Sequence, residues 1–218
     1  MEMPIDEEHI IEALREARAK AKKRNFRQSV ELLVNLRDVD LRRPENRIRE
    51  LVELPHGLGK EMRVCVIASG DAALRAKRAG LDVLEREELE SMAGDKKRAK
   101  KLAKEYDFFV AEAPLMPLVG RILGSVLGPR GKMPTPVPPT ADFAAVVEKL
   151  KKTVRVVAWK APHVYCRVGT EDMDDKALAE NINAVIKVLE EKLPRGLGNV
   201  ASIYVKMTMG PAVEVKFK

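Results

Sequence analysis

Residues 62–84, MRVCVIASGDAALRAKRAGLDVL, combine a short apolar run, a helical pattern and a second apolar run. The run at 62–68 predicts a buried strand, Ser69-Gly70-Asp71 opens the helix, and Gly80 ends it before the next strand. Strands that alternate with helices are typical of a parallel sheet. Because the pattern continues with further helices and one more strand, residues 62–153 are predicted to form an α/β domain.

The two flanking segments lack this alternation. The N-terminal flank predicts a helix at residues 6–24 and strands at 28–36 and 48–54. The C-terminal flank predicts two strands, a helix capped by Asp174 and a further strand at 200–208. The two flanks resemble each other in their order of helices and strands more than either resembles the middle segment. We therefore predict one discontinuous α+β domain that the middle domain interrupts.

A proline-rich loop is predicted at residues 128–139, which contain five prolines. Proline has no backbone N–H to donate, and its φ angle is fixed. We therefore expect this loop to lie outside any sheet.

The charge balance favours a polyanionic partner. The 218 residues carry 40 Lys and Arg against 33 Asp and Glu, a formal net charge of +7. Much of the excess, +5, lies within residues 62–153. Residues 15–27 hold seven bases and one acid, on a helix face that either is simply solvated or meets phosphate. Nucleic acid is the partner that this composition indicates.

Other classes of protein are disfavoured by composition. Cys65 and Cys166 lie far apart and the chain has three histidines, so neither a disulfide framework nor a metal site is expected. No stretch approaches the roughly eighteen apolar residues of a membrane span, and residues 1–8 are acidic where a signal peptide is basic and then apolar. A cytoplasmic protein without a membrane partner is expected.

No catalytic motif stands out in the sequence. The turn Ser69-Gly70-Asp71 lacks the GxGxxG pattern, and residues 124–132 do not match GxxxxGK[ST] because Met133 stands where the hydroxyl belongs. The three histidines are isolated from other catalytic residue types. We therefore expect no catalytic residues and no cofactor. An enzyme whose α/β middle binds a nucleotide or phosphosugar stays open as an alternative.

A polar strand face is the clearest candidate binding surface. In residues 200–208, one set of alternating side chains is apolar and the other is Ser202, Tyr204, Lys206 and Thr208. Hydroxyls and a cation suit RNA, which presents 2′-hydroxyls and phosphates. An ordinary solvated strand face explains the same pattern equally well.

The chain also contains three specific motifs: TMGP at residues 208–211 after the strand SIYV at 202–205, LPHGLGK at 54–60, and LGPRGKMP at 127–134. Together they resemble the L-one family of large-subunit ribosomal proteins. The resemblance covers essentially the whole chain, and the continuation TPVPP at 135–139 is similar to the archaeal branch.

This resemblance implies an α/β fold of two domains. A discontinuous α+β domain, residues 1–61 and 154–218, would bind RNA. A Rossmann-like α/β domain, residues 62–153, would be inserted through two hinge strands that let the domains close on RNA.

The resemblance also implies function and partners. The family binds large-subunit ribosomal RNA, forms the mobile lateral stalk near the exit site and assists release of deacylated exit-site tRNA. It commonly represses its own mRNA through an operator that mimics the ribosomal site. Such a protein is expected to be a monomer when free, to be no enzyme, and to lie on the cytoplasmic ribosome. A repressor without a ribosomal role would have the same sequence signature and stays open.

The family's RNA-contacting residues correspond to seven positions here: Phe26, Ser29, Glu31, Ser202, Thr208, Met209 and Gly210. The pattern alone leaves Phe26 open between a core aromatic and a platform for a base. Glu31 would accept from a ribose hydroxyl or a base amino group, because a phosphate would repel it.

Five further positions extend the predicted site. Tyr165, Arg167 and Lys206 are included because they lie on the predicted polar strand faces. Arg130 and Lys132 lie in the glycine- and proline-rich loop and are either looser phosphate contacts or plain solvated residues. Where many relatives have a basic residue just before the phenylalanine, this chain has Asn25, and Arg24 or Arg27 would take that role.

Overall fold

The computed structural model describes residues 5–217, which form seven α-helices and ten strands. In chain order they are α1 (Glu7–Lys20), β1 (Ser29–Leu36), β2 (Ile48–Glu53), β3 (Val64–Ala68), α2 (Gly70–Arg78), β4 (Asp82–Glu85), α3 (Arg86–Ser91), α4 (Lys96–Glu105), β5 (Phe108–Glu112), α5 (Met116–Leu127), β6 (Thr135–Val137), α6 (Phe143–Lys151), β7 (Thr153–Ala158), β8 (His163–Thr170), α7 (Asp175–Lys192), β9 (Val200–Met207) and β10 (Val213–Glu214). The chain divides into two compact units, a terminal unit up to Lys60 and from Lys152 onward, and a middle unit, Glu61–Lys151.

The terminal unit is built on an antiparallel sheet with the strand order β10-β9-β1-β8, accompanied by a two-stranded ribbon of β2 and β7. Val30, Leu32 and Val34 on β1 are fully buried, as their alternation predicts. Helices α1 and α7 pack on this apolar face, where Leu14 and Ile182 are fully buried. Because both helices lie on the same side, the opposite face of the sheet faces solvent.

The helix ends in this unit follow local chemistry. The Asp174 carboxylate accepts from the backbone N–H of Lys176 over 3.2 Å and caps α7, as predicted. Helix α1 ends at Lys20, earlier than predicted, because Ala21 adopts an extended backbone. The carbonyl of Lys22 accepts from the Gln28 side chain instead of a helical N–H.

The middle unit is a parallel sheet with the strand order β4-β3-β5-β6, covered on both faces. Ile67 and Phe109 belong to an apolar cluster with α3, α4 and α5, whereas Val66 and Val110 belong to a cluster with α2 and α6. The predicted α/β class, with parallel and antiparallel sheets in one chain, is confirmed. The assignment of residues 1–61 with 154–218 and of 62–153 as functional domains stays a prediction.

One part of the proline-rich loop contradicts its prediction. Thr135–Val137 forms β6 and pairs in parallel with β5, with Val110 opposite Thr135 and Glu112 opposite Val137. The expectation of no sheet pairing is wrong because β6 lies at the edge of the sheet. An edge strand forms backbone hydrogen bonds with one neighbouring strand only. The missing N–H of Pro136 therefore leaves no carbonyl of a second strand without a donor.

The two cysteines are buried free thiols. Burial raises the pKa of Cys65 and of Cys166 to about 12, so both behave as apolar core side chains. Within residues 5–217, no cluster of three or more His, Cys, Asp or Glu is placed to hold a metal ion. No helix in that range is long and apolar enough to cross a bilayer.

Candidate nucleic-acid interface

The solvent-facing side of the antiparallel sheet, which we name the open face, carries polar side chains from three adjacent strands. Because β1 lies between β8 and β9, each outward-facing residue of β1 has a neighbour on both sides. The rows that cross the open face are Arg167–Glu31–Lys206, Tyr165–Leu33–Tyr204 and His163–Asn35–Ser202. The sheet therefore brings together predicted site residues that are far apart in sequence.

The carboxylate of Glu31 lies low in the first row. Its side chain is 12% exposed, and its Oε2 lies 3.7 Å from the ammonium of Lys206. Burial of the Tyr165 hydroxyl, together with the nearby Glu31 carboxylate, raises the pKa of Tyr165 to about 12. Oε2 is buried and accepts no hydrogen bond. Glu31 therefore serves as an internal ionic partner of Lys206, and little of its side chain is exposed to a ligand.

The third row is linked by a side-chain hydrogen bond. Asn35 Nδ2 donates to Ser202 Oγ over 2.9 Å, and Asn35 is exposed. The bond fixes the orientation of both groups and leaves the hydroxyl and amide with further donor and acceptor capacity. Such a pair suits a ligand that both donates and accepts, as a ribose hydroxyl does.

Thr208 joins the end of β9 to the start of β1. Its Oγ1 accepts from the backbone N–H of Ser29 over 3.0 Å and donates to the Ser29 carbonyl over 3.3 Å. Its backbone N–H donates to the same carbonyl over 3.1 Å. The hydroxyl is thus committed to shaping the turn and keeps one lone pair for a ligand.

Gly210 lets this turn approach the end of α1. Its N–H donates to the Met207 carbonyl over 2.9 Å. A Cβ at Gly210 would lie 3.2 Å from the Cβ of Ala21 and 3.3 Å from that of Met207. A glycine at this position therefore permits the close approach.

Large apolar side chains stand out in solvent at the predicted site. Phe26 is 51% exposed, Tyr165 51% and Met209 56%. Exposed rings and thioethers of this size suit contact with bases and sugars. Phe26 is accordingly not a core aromatic, and that alternative is wrong.

Gln28 organises the site and was not predicted from the sequence. It is 2% exposed, and its Oε1 accepts from the backbone N–H of Met209 over 3.2 Å. Its Nε2 donates to Glu171 Oε2 over 3.2 Å and to the Lys22 carbonyl over 3.4 Å. One buried amide therefore ties together the segments that carry Phe26 and Met209. The only sequence signal is a polar residue at the predicted start of a strand.

The basic run at residues 15–27 has two parts. Arg15 and Arg18 form ion pairs with Asp175 over 3.3 and 3.2 Å, so they secure α1 to α7. Arg27 pairs with Asp172 over 3.4 Å. Among the described residues, the exposed side chains of Lys22, Lys23 and Arg24 have no ionic partner, and they precede Phe26 directly. This second part is the one available to phosphate.

Asn181 anchors the LPHGLGK motif and was also missed. It is fully buried; its Nδ2 donates to the carbonyls of Gly57 and Val168 over 2.8 Å each, and its Oδ1 accepts from the His56 N–H over 3.0 Å. The motif is therefore a structural loop fastened to α7 and β8.

Arg130 and Lys132 differ in the middle unit. Lys132 Nζ donates to the carbonyls of Ala103 and Tyr106 over 3.0 and 2.7 Å, so it satisfies the end of α4. Arg130 is exposed and donates to the Val126 carbonyl over 3.2 Å. Its phosphate contact stays a prediction, and the internal bonds of Lys132 favour a structural role.

Comparisons with known proteins give a consistent result. The model of the ribosomal protein L1p/L10e family matches residues 17–211. The large ribosomal subunit protein uL1 of Pyrococcus abyssi is 56% identical over 215 residues, which cover 98% of either chain. The uL1 protein of Hyperthermus butylicus is 50% identical over 98% of this chain and 99% of its own. That of Methanocaldococcus jannaschii is 48% identical over 97% of both chains.

Proposed function

We propose that this chain, which belongs to the ribosomal protein L1p/L10e family, is a constituent of the large ribosomal subunit and binds large-subunit ribosomal RNA. The observation that carries the proposal is the open face with its three cross-strand rows. Hydroxyl, amide and cationic groups lie side by side there on a rigid sheet, and exposed apolar side chains flank them. The archaeal relatives support the assignment to the ribosome, and hence to the cytoplasm.

Recognition would divide between the rows. Arg167 and Lys206 supply cations to phosphate oxygens, while Ser202 and Asn35 face ribose or base edges. Phe26 and Met209 contribute apolar contact at the edge of the face. Glu31, Gln28 and Thr208 hold these groups in position before RNA arrives, so little ordering entropy is lost on binding.

An enzyme of the nucleotide-binding type is not supported by the middle unit. At the turn after β3, where a dinucleotide fold holds phosphate, both the N–H and the hydroxyl of Ser69 donate to Glu112 Oε2, over 3.3 and 2.9 Å. Glu112 is 4% exposed. An internal carboxylate thus occupies the start of α2 and would repel a phosphate. The family consists of structural ribosomal proteins, and the chain is not an enzyme.

We extend the proposal to the finer roles that the family resemblance implies. These are membership of the mobile lateral stalk, assistance to release of exit-site tRNA, and repression of the chain's own mRNA. One RNA-binding face is able to serve a ribosomal site and an operator that share the same local structure, which is why the two roles are proposed together.

The test is a filter-binding titration of the full chain with a fragment of large-subunit ribosomal RNA. Titrations at several salt concentrations, with tRNA as competitor, separate specific from generic binding. We expect tight binding that survives the competitor, and a loss of affinity in Lys206→Gln. The control is Lys176→Gln, at an exposed lysine near the start of α7, away from the open face. Weak binding that tRNA abolishes would refute the proposed function.

A further inference from the structure

Helix α4 of the middle unit, with the sequence KKRAKKLAKE, has an unusual charge balance. It contains five lysines and one arginine against a single acid, and every one of these basic side chains is exposed. Arg98 pairs with Glu88 over 2.9 Å, and the acid, Glu105, pairs with Arg63 over 3.1 Å. None of the lysines of α4 has a hydrogen-bonding or ionic partner for its ammonium group among the described residues.

Four of these lysines share one side of the helix. At about 100° per residue, Lys97, Lys100, Lys101 and Lys104 fall within an arc of about 100° and span about 10 Å along the axis. The buried Ala99 and Ala103 lie on the other side and pack into the core. We name these four residues the lysine stripe.

The stability of the helix does not account for the lysine stripe. Lys97 lies three and four residues before Lys100 and Lys101, and these lie four and three residues before Lys104, so each ammonium repels its neighbours. The first turn of α4 is basic throughout, where the helix dipole favours acids, and contains no acidic residue. Asp95 alone offsets this, capping the N–H groups of Lys97 and Arg98 over 3.0 Å each.

Several basic residues elsewhere in the middle unit have a carboxylate partner. Lys77 pairs with Glu85, and Arg86 with Glu90 over 2.8 Å. Unlike these residues, the four lysines of the stripe form a concentration of positive charge that no carboxylate offsets among the described residues. An external polyanion is the partner that would relieve it.

We propose that the lysine stripe binds the phosphate backbone of double-helical RNA, as a contact that is independent of sequence and additional to the open face. The proposal rests on the proposed function, since it assumes that RNA is the partner. Four ammonium groups within about 10 Å approach the charge density of a duplex, which carries one phosphate per about 1.7 Å in B-form DNA.

RNA is favoured over an acidic protein because the stripe lacks the apolar and aromatic anchors that protein interfaces bury at their centre. Its outward residues are all lysine, a strongly hydrated point charge that suits phosphate. Lys96, at the edge of the stripe, and Arg121 of α5 line one cleft, which adds cations beside it.

The test compares the full chain with a variant in which Lys97, Lys100, Lys101 and Lys104 are all replaced by glutamine. A matched variant replaces the same four residues by arginine and keeps the charge. Each protein is titrated at several salt concentrations with the ribosomal RNA fragment and with an unrelated RNA duplex of equal length. Thermal unfolding by circular dichroism checks the fold, and loss of repulsion should leave the glutamine variant at least as stable.

We expect the slope of log K against log salt to become shallower by about 3 to 4 for the glutamine variant, on both RNAs, and to stay unchanged for the arginine variant. The preference for the ribosomal fragment should persist, because the open face is intact. Equal salt slopes for all three proteins would overturn the inference. The lysine stripe would then bind an acidic protein or be simply solvated. Absence of any preference in the unaltered chain would instead refute the proposed function, so the two failures are distinct.

Discussion

The hydroxyl of Thr208 bonds twice to the backbone of Ser29, and the carboxylate of Glu31 pairs with Lys206 and raises the pKa of Tyr165. At the scale of single residues, side chains that the family resemblance marks as RNA contacts also hold the protein's own groups in place. Their substitution should therefore change both the stability of the protein and its affinity for RNA. The relative size of the two changes distinguishes a residue that positions other groups from one that contacts RNA.

Replacing Thr208 by alanine should weaken RNA binding by about 1–3 kcal/mol. The same change removes the bond to the Ser29 N–H and should lower the free energy of unfolding by about 1 kcal/mol. Filter binding and urea unfolding measure the two effects. Thr208→Ser keeps the hydroxyl and should retain most of both, and full RNA affinity in Thr208→Ala would remove this residue from the site.

Replacing Glu31 by glutamine should lower the pKa of Tyr165 from about 12. Burial of the hydroxyl raises this pKa most, and the negative carboxylate raises it further because it disfavours the phenolate. Removal of that charge therefore moves the pKa toward the ordinary value. Absorbance titration of the phenol measures it, and Tyr165→Phe assigns the signal. An unchanged titration would show that Glu31 does not act on Tyr165.

At the scale of elements, the site depends on where segments end. Helix α1 stops at Lys20, and the turn after β9 comes close enough that Gly210 faces Ala21. The buried amide of Gln28 then secures the strand start to this turn. Three elements therefore meet at the edge of the open face, and the positions of Phe26 and Met209 follow from that junction.

Substituting Gly210 by alanine should destabilise the chain and weaken RNA binding, because the new methyl group lies 3.2 Å from the Ala21 Cβ. Overpacking of this kind costs about 1–3 kcal/mol. The second substitution Ala21→Gly removes the opposing methyl group and should restore much of both properties. Chemical denaturation and filter binding measure them. If Ala21→Gly restores nothing, the contact is not the cause.

At the scale of the whole molecule, the terminal unit is complete without the middle segment. Glu53 pairs with Thr153, and the Leu54 N–H donates to the Lys152 carbonyl over 2.9 Å, so the chain leaves and re-enters this unit at adjacent strand ends. The open face, its supporting helices and Gln28 all belong to it. Specific recognition is therefore expected to reside in this unit.

Deleting residues 61–151 and joining the ends with a short Gly-Ser linker should leave a folded chain that still prefers the ribosomal RNA fragment over tRNA. Its salt slope should be shallower by at least as much as that of the four-lysine variant, because the lysine stripe is gone. Circular dichroism and filter binding test both points. If the deletion variant folds but does not prefer the ribosomal RNA fragment over tRNA, specific recognition requires the middle unit.

Local pattern predicted most of the architecture. The alternation of Val30, Leu32 and Val34 predicts a strand with one buried face, Asp174 predicts a helix start, and the strand–helix–strand pattern at 62–84 predicts a parallel sheet. Each depends on residues within a few positions of one another, where helix and strand periods act directly. The pairing of residues 135–137 with β5 was not predicted, because a run of prolines does not indicate which segment lies at the edge of a sheet.

Sequence motifs also indicated the family. The alternation of apolar and polar side chains along the strands predicted most residues of the open face. The support beneath them arose from the fold alone: Gln28 meets Met209, Glu31 lies between Arg167 and Lys206, and Lys132 turns inward to carbonyls. The hydrogen bonds among these contacts join residues that are 26 to 181 positions apart in the chain. A periodic pattern carries no information at such distances, because which segments become neighbours depends on how the whole core is buried.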